Sequence, residues 1–376
     1  MIIVNDIIKA IESVAPLNWQ ESYDNAGLQV GGRFQSVSGA VVCLDVTEAV
    51  VDEAISMGYN LIVSHHPLLF KGLKSITGNS YVERIVIKAI QHNIAIYAAH
   101  TNLDNAPEGV SYRMARKLGL TSIRVLDPLC GRLIKLVTYV PSTHVESVRS
   151  ALFEAGAGHI GNYDKCSFGQ EGTGTFRAGT YANPYCGTIG EFHREQETRL
   201  EVIVPIHVQE AVIDALKRSH PYEEPAFDLI PLSNRWEQVG SGVVGALPKP
   251  VDEVLVLEKL KEIFKTGCVK HSPLHNRKIS RIALCGGAGA SLMTKAVIAG
   301  ADMFVTGEIR YHDYFEFESH ILLAEIGHYE SEQYTKEIFC EIIQKKFPTF
   351  AIHSTQVDTN PINLSLIHIS EPTRRS

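Results

Sequence analysis

The sequence predicts an α/β protein with a mostly parallel sheet and an inserted ferredoxin-like α+β unit. Three observations predict it. Short apolar runs alternate with helical stretches between residues 38 and 119. Parallel neighbours need a crossover, and a helix on the sheet face is the usual one. That alternation resumes after Gly240-Ser241-Gly242. Between the two stretches the order reads strand, helix, strand, strand, helix, strand, the split ferredoxin-like arrangement.

The elements follow in chain order. Residues 5–15 read as a helix capped by Asn5 or Asp6. Tyr23–Gly31 is a polar turn leading into a possible strand. Ser38–Val46, the run around Ile62–Val63 and Ile94–Ala99 are short apolar strands, with helical stretches near 48–57 and 82–92. Gly109–Gly119 contains another helix. Arg132–Val140 is a strand, Val145–Ala155 a helix, and the Gly-rich stretch 156–190 supplies one strand. Thr198–Ile206, Val208–Ser219 and Ala226–Leu232 complete the insert as strand, helix and strand. Then come strand Arg281–Cys285, helix Ser291–Ala299, strands Asp302–Val305 and His320–Ile326, helix Tyr329–Lys346 and strand Phe350–His353. The expected domains are a core of 1–127 plus 237–362 and an insert of 128–236. Residues 363–376 continue no pattern and read as a non-native tail from a vector or adapter. A frayed native end is the plain alternative.

Bulk properties narrow the function classes. A chain of 376 residues with 45% hydrophobic content has ample material for a large core, which excludes wholesale disorder. A net charge of −7 gives no general basic field for nucleic acid. The seven cysteines are scattered and never form C-x-x-C. That suits a reducing cytoplasm and argues against a disulfide framework. The first residues carry no basic signal region, and no apolar run reaches the length of a membrane span.

Three apolar runs end in groups that bind metals. Ser64-His65-His66-Pro67 closes the first, His100 the second with Asp104 following, and Gly327-His328-Tyr329-Glu330-Ser331-Glu332 the third. Open α/β sheets carry their ligands outside the carboxyl ends of the strands. Imidazoles and carboxylates suit zinc, iron, nickel or manganese. Each piece also has a plain explanation: a loop His pair, a strand-end histidine, and an acid in a first helical turn. Neighbours in extended chain point opposite ways, so one metal takes one of His65 and His66, or two metals take one each. The repetition of strand end plus ligand favours a metal site.

Further motifs are less specific. Cys285–Ser291, rich in glycine, joins a strand to a helix and serves either as a phosphate cradle or as a tight turn. Arg310 and His312, in Thr306–His312, either touch substrate or belong to a capped helix start. Asp24 and Asn25 suit an Asx-turn, and His220–Pro225 a turn with strand entry.

The ordered set Ser64–Pro67, His100–Asp104, Gly307–His312 and Gly327–Glu332 resembles the NIF-three-like family (NGG-one-interacting factor three). Its members are often called GTP cyclohydrolase 1 type 2 homologues. The resemblance runs from about residue 1 to 362 and includes Tyr23–Gly31. The insert, with Gly156–Tyr163 and Gly172–Phe176, resembles that of the longer bacterial form, itself similar to signalling and cation-tolerance trimers. The resemblance implies a centre of two divalent metals held by His65, His66, Asp104, His328 and Glu332, with Glu332 bridging and His100 adjacent. It also implies a ring-like homohexamer and opening of the GTP imidazole ring, releasing formate and dihydroneopterin triphosphate. His100 or His312 would shuttle protons. A hydrolase of another nucleotide or pterin, and a non-catalytic metal-handling or regulatory protein, stand as alternatives.

Overall fold

The computed structural model describes residues 1–317 and 319–365. Of the expected tail, residues 366–376 lie outside the described residues. The fold is mixed α/β with several sheets. The chain divides into two compact units. One comprises Met1–Asp127 and the chain from Ser241 onward, the other Pro128–Gly240.

The first unit holds two sheets. In the first sheet the order is Gly27–Val30, Ala95–Ala98, Leu61–Ser64, Ala40–Cys43, Ile352–Ser354. Only its Gly27–Val30 edge pair is antiparallel; the other three pairs are parallel. Strands Ala40–Cys43, Leu61–Ser64 and Ala95–Ala98 are buried at every residue. That explains their unbroken apolar character, since both faces are covered. Helix Glu48–Met57 covers one face. Thr47 caps it by accepting from the Val50 N–H, and Gly58 ends it in the left-handed conformation. Helix Tyr81–Gln91 buries Ile85, Val86 and Ala89 at helical spacing. Each large aliphatic side chain so buried contributes roughly 1.5–3 kcal/mol.

The second sheet runs Lys270–His271, Leu322–Glu325, Met303–Thr306, Lys278–Cys285, Arg235–Asp252, Thr121–Cys130. Its central pairs, Lys278–Cys285 with Met303–Thr306 and Met303–Thr306 with Leu322–Glu325, are parallel. Both sheets therefore aim carboxyl ends of parallel strands at loops that carry the candidate ligands.

The second unit has strands Leu133–Pro141, Ser167–Arg177, Phe192–Pro205 and Phe227–Leu232. Helices Val145–Glu154 and Gln209–Ser219 lie between the first and second and between the third and fourth. The sheet order is Ser167–Arg177, Phe192–Pro205, Leu133–Pro141, Phe227–Leu232, antiparallel throughout. Leu136, Val140, Leu200 and Val202 from the sheet pack on Val148, Leu152, Val212 and Leu216 from the helices.

Some elements differ from the sequence reading. The first helix spans Val4–Glu12, and Asp6 accepts from the Ile3 N–H instead of capping from outside. The expected helix over 329–346 is two, His328–Glu332 and Thr335–Lys346. Strands Thr121–Cys130 and Arg235–Asp252 and helix Glu253–Phe264 were not expected. Glycines and prolines hide the long strand: its register against Lys278–Cys285 shifts between Ala246 and Val251, around Pro248 and Pro250. No helix among the described residues is long and apolar enough to cross a membrane.

Candidate metal centre

Strand Leu61–Ser64 ends directly at His65 and His66, whose N–H groups donate to the Cys43 and Leu44 carbonyls. Strand Ala95–Ala98 hands over to His100 and then to the short helix Thr101–Asp104. In the second sheet, Leu322–Glu325 leads to the short helix His328–Glu332, where His328 and Glu332 share one face.

These ends meet. Glu332 Oε1 lies 3.7 Å from His65 Nε2, and Glu332 Oε2 lies 2.9 Å from His66 Nε2 and 3.2 Å from His328 Nε2. Asp104 Oδ1 is 3.6 Å from His65 Nε2. The His100 ring packs 5.3 Å from that of His65 and 5.4 Å from that of His66, centroid to centroid. His65, Asp104 and Glu332 form one group able to hold a metal ion, His66, His328 and Glu332 a second, and His65, His66 and His100 a third.

The outer partners fix which ring nitrogen faces inward. His65 Nδ1 donates to the Ala99 carbonyl at 2.9 Å. His66 Nδ1 donates to Asp45 Oδ1 at 2.7 Å and His328 Nδ1 to Glu308 Oε1 at 2.8 Å. His100 Nδ1 donates to Asp24 Oδ1 at 2.8 Å, and Asp24 also accepts from Thr101. A carbonyl or carboxylate only accepts, so Nδ1 carries a proton and each Nε2 faces the cluster, where it can bind a cation once it is unprotonated. This is the arrangement of histidines that bind metals.

Electrostatics point the same way. Burial would raise the Asp24 carboxyl, but hydrogen bonds from His100 and Thr101 bring it down to about 2. Burial lowers His65. Burial opposes protonation of His66 and His328 too, yet bonds to Asp45 and Glu332 lift His66 to about 10, and Glu332 lifts His328 to about 9. Glu332 is held well below the usual range despite burial, by the imidazoles of His65, His328 and His66 that surround it. Burial, then the Glu332 charge, pushes Asp104 well above it.

Among the described residues, His65 Nε2, Asp104 Oδ1 and Glu332 Oε2 are buried without a hydrogen-bond partner of good geometry. His66 Nε2 and His328 Nε2 stand 3.3 Å apart. As lone pairs they repel, and as two imidazoliums they repel more. A buried polar group left unpaired costs about 1–3 kcal/mol. A divalent cation would supply the partner these donor atoms lack, and the set of imidazoles and carboxylates fits it.

The surroundings give several residues roles that sequence reasoning did not assign. Gly287, at φ +61°, leaves no room for a side chain: a Cβ there would lie 2.3 Å from Glu332 Oε1. Its N–H donates to Ser331 Oγ. The Cys285–Ser291 glycines thus bring backbone against the cluster. Asp24, Asp45 and Glu308 orient histidines; the only signal was their position just after a strand or turn. Arg310 and Glu308 line a cavity of about 620 Å³ beside the cluster. His312 is exposed, packs against Tyr311 and Phe315, and belongs to none of the ligand groups among the described residues.

Comparison with known proteins gives a consistent result. A family model described as Duf34/NIF3 (NGG1p interacting factor 3) matches residues 2–361. A protein of Halalkalibacterium halodurans named GTP cyclohydrolase 1 type 2 homolog is 41% identical, covering 81% of this chain and 82% of its own length. A protein of Bacillus subtilis with the same name is 36% identical, covering 94% and 96%. The crystal structure of a Bacillus cereus protein related to NIF3 superimposes with a TM-score of 0.84 at 37% identity, over 97% of this chain and 99% of that one. With a match along nearly its whole length, and with His and Glu groups able to hold a metal ion, the chain belongs to the Duf34/NIF3 family.

Proposed function

We propose that this protein is a hydrolase dependent on two divalent metal ions, with GTP as the first substrate to consider. Opening of the purine imidazole ring, with release of formate, is the reaction. The observation that carries the reading is the position of Glu332. One of its oxygens faces His65, beside Asp104, and the other faces His66 and His328. A carboxylate shared in this way joins two ligand groups, so His65, His66, Asp104, His328 and Glu332 would hold the metals, with Glu332 common to both groups. Two divalent cations, of zinc, iron, nickel or manganese type, would supply Lewis acidity and would acidify bound water toward a pKa of about 7.

The chain's own groups do the rest. Asp24 holds His100 by Nδ1, so His100 Nε2 is free to accept or return a proton beside the cluster. Arg310 lines the adjacent cavity together with Glu308, Asp313, Glu316 and Glu325, so it would meet substrate on a wall that is acidic overall. His312 is the second candidate for proton transfer. The names of the relatives support a nucleotide substrate. The second unit's strand order supports a ferredoxin-like insert. A cytoplasmic homohexamer is the expected assembly, and light scattering checks it: a monomer at micromolar concentration overturns it.

The deciding experiment incubates metal-loaded protein with GTP and follows formate and pterin fluorescence. Catalytic formate release, lost with a chelator and restored by divalent metal, supports the reading. Release of phosphate or ammonia from nucleotides without formate points to another hydrolytic reaction. Stoichiometric metal with no turnover on nucleotides or pterins points to metal handling instead.

A further inference from the structure

The second unit carries its own group of metal-binding side chains. His193 and Glu195 sit two residues apart on strand Phe192–Pro205, on the same face. His193 Nε2 is 2.9 Å from Glu195 Oε2. The loop that precedes the strand folds back and adds Cys186. All three donor atoms lie within 4.8 Å of one another, and all three residues are half-buried. The fold makes room for this approach. Gly187, at φ +82°, runs against the imidazole, where a Cβ would lie 2.9 Å from His193 Cγ. The Phe176 ring packs 5.1 Å from that of His193. Tyr222 Oη lies 3.9 Å from Cys186 Sγ and donates to Glu197 Oε1 at 2.7 Å.

We propose that Cys186, His193 and Glu195 form a further divalent-cation site, for a borderline ion such as zinc. The donor set decides the class of ion. Thiolate with imidazole selects zinc-like ions, whereas magnesium and calcium take oxygen. Ligand atoms about 2.0–2.3 Å from one ion stand roughly 3–4 Å from each other, within reach of these side chains by small rotamer changes. Binding converts the Cys186 thiol to thiolate, and its proton goes to solvent. Three protein ligands leave one position open. Beside it lie the Tyr222 hydroxyl and a cavity of about 640 Å³ lined by Phe176, Tyr185, Glu197 and Tyr222, with space for a small ligand.

This site contains the one feature that the His65–Glu332 ligand set lacks, a sulfur donor. Cobalt(II), added alone to the reduced full-length protein, reads it directly. Thiolate-bound cobalt gives a near-ultraviolet charge-transfer band that imidazole and carboxylate ligands do not. The expected result is such a band in the wild type, with Cys186→Ser and His193→Ala each losing the band and one cobalt per chain. Glu332→Gln should keep the band while losing cobalt from the other cluster, so the two sites are read separately. Cys285→Ser should also keep it. Absence of the band in the wild type overturns the proposal. So does a band that survives Cys186→Ser or disappears with Cys285→Ser.

Discussion

At the scale of single residues, His66 and His328 show how strongly the cluster would respond to a cation. Without one, both rings hold protons well above the usual histidine range, up to about 10 and 9. Metal must displace these protons, so its apparent affinity should rise with pH through the neutral range, by about tenfold per pH unit for each proton released. Isothermal titration in buffers of different ionisation enthalpy counts the protons. The same shift has a stability consequence of definite sign. Groups raised on folding stabilise fully below their unfolded pKa of about 6.5, and that contribution is lost as pH passes 9–10. Melting of the metal-free protein should therefore fall across that window more than melting of the loaded protein. Asp45 offers a separate test. Asp45→Asn leaves every ligand in place but weakens the hold on His66 Nδ1, and metal affinity measured by competition should drop 10–100-fold. The candidate ligands were legible in the sequence because each follows an apolar run. The histidine-orienting roles of Asp45, Asp24 and Glu308 were not, because a single acid in a loop has no periodic signature and its partner is distant in sequence.

At the scale of elements, the site is built from strand ends, and those were readable wherever the strand was buried on both faces. The failures have a physical pattern. Helix Glu253–Phe264 buries Val256, Leu260 and Phe264 at four-residue spacing, a plain amphipathic stripe masked by the Pro248–Pro250 stretch before it. The expected single helix over 329–346 breaks near Tyr334, and Thr335 Oγ1 donates to the Glu332 carbonyl at the interruption. The glycine junction after strand Lys278–Cys285 is the element most exposed to mutation. Gly287→Ala combines a left-handed backbone, costing roughly 1–2 kcal/mol for a residue with a Cβ, with a clash against Glu332. Lower stability in urea and loss of metal by elemental analysis should appear together. Gly72→Ala, in open space, should change neither. Full metal occupancy in Gly287→Ala would show that Glu332 can move without consequence.

At the scale of the molecule, the second unit is entered from Thr121–Cys130 and left through Arg235–Asp252, strands adjacent in one sheet. Joining Asp127 to Ser241 by a short Gly-Ser linker should leave a folded unit that still takes up metal, since the residues of the His65–Glu332 cluster all lie outside the excised segment. A deletion variant that unfolds cooperatively yet binds no metal would refute this. The cluster itself has a mechanical meaning. His65 and Asp104 belong to the first sheet's loops and Glu332 to the second's, so an ion among them would be a cross-link between layers distant in the chain. Closing so long a loop restricts the unfolded chain as a disulfide does. It also ties two hydrophobic layers to a common fate. With metal, both sheets should melt in one transition. With a chelator, the melting temperature should fall, and calorimetry should resolve two overlapping transitions as each sheet yields on its own. The ion would then set how many pieces the protein comes apart in.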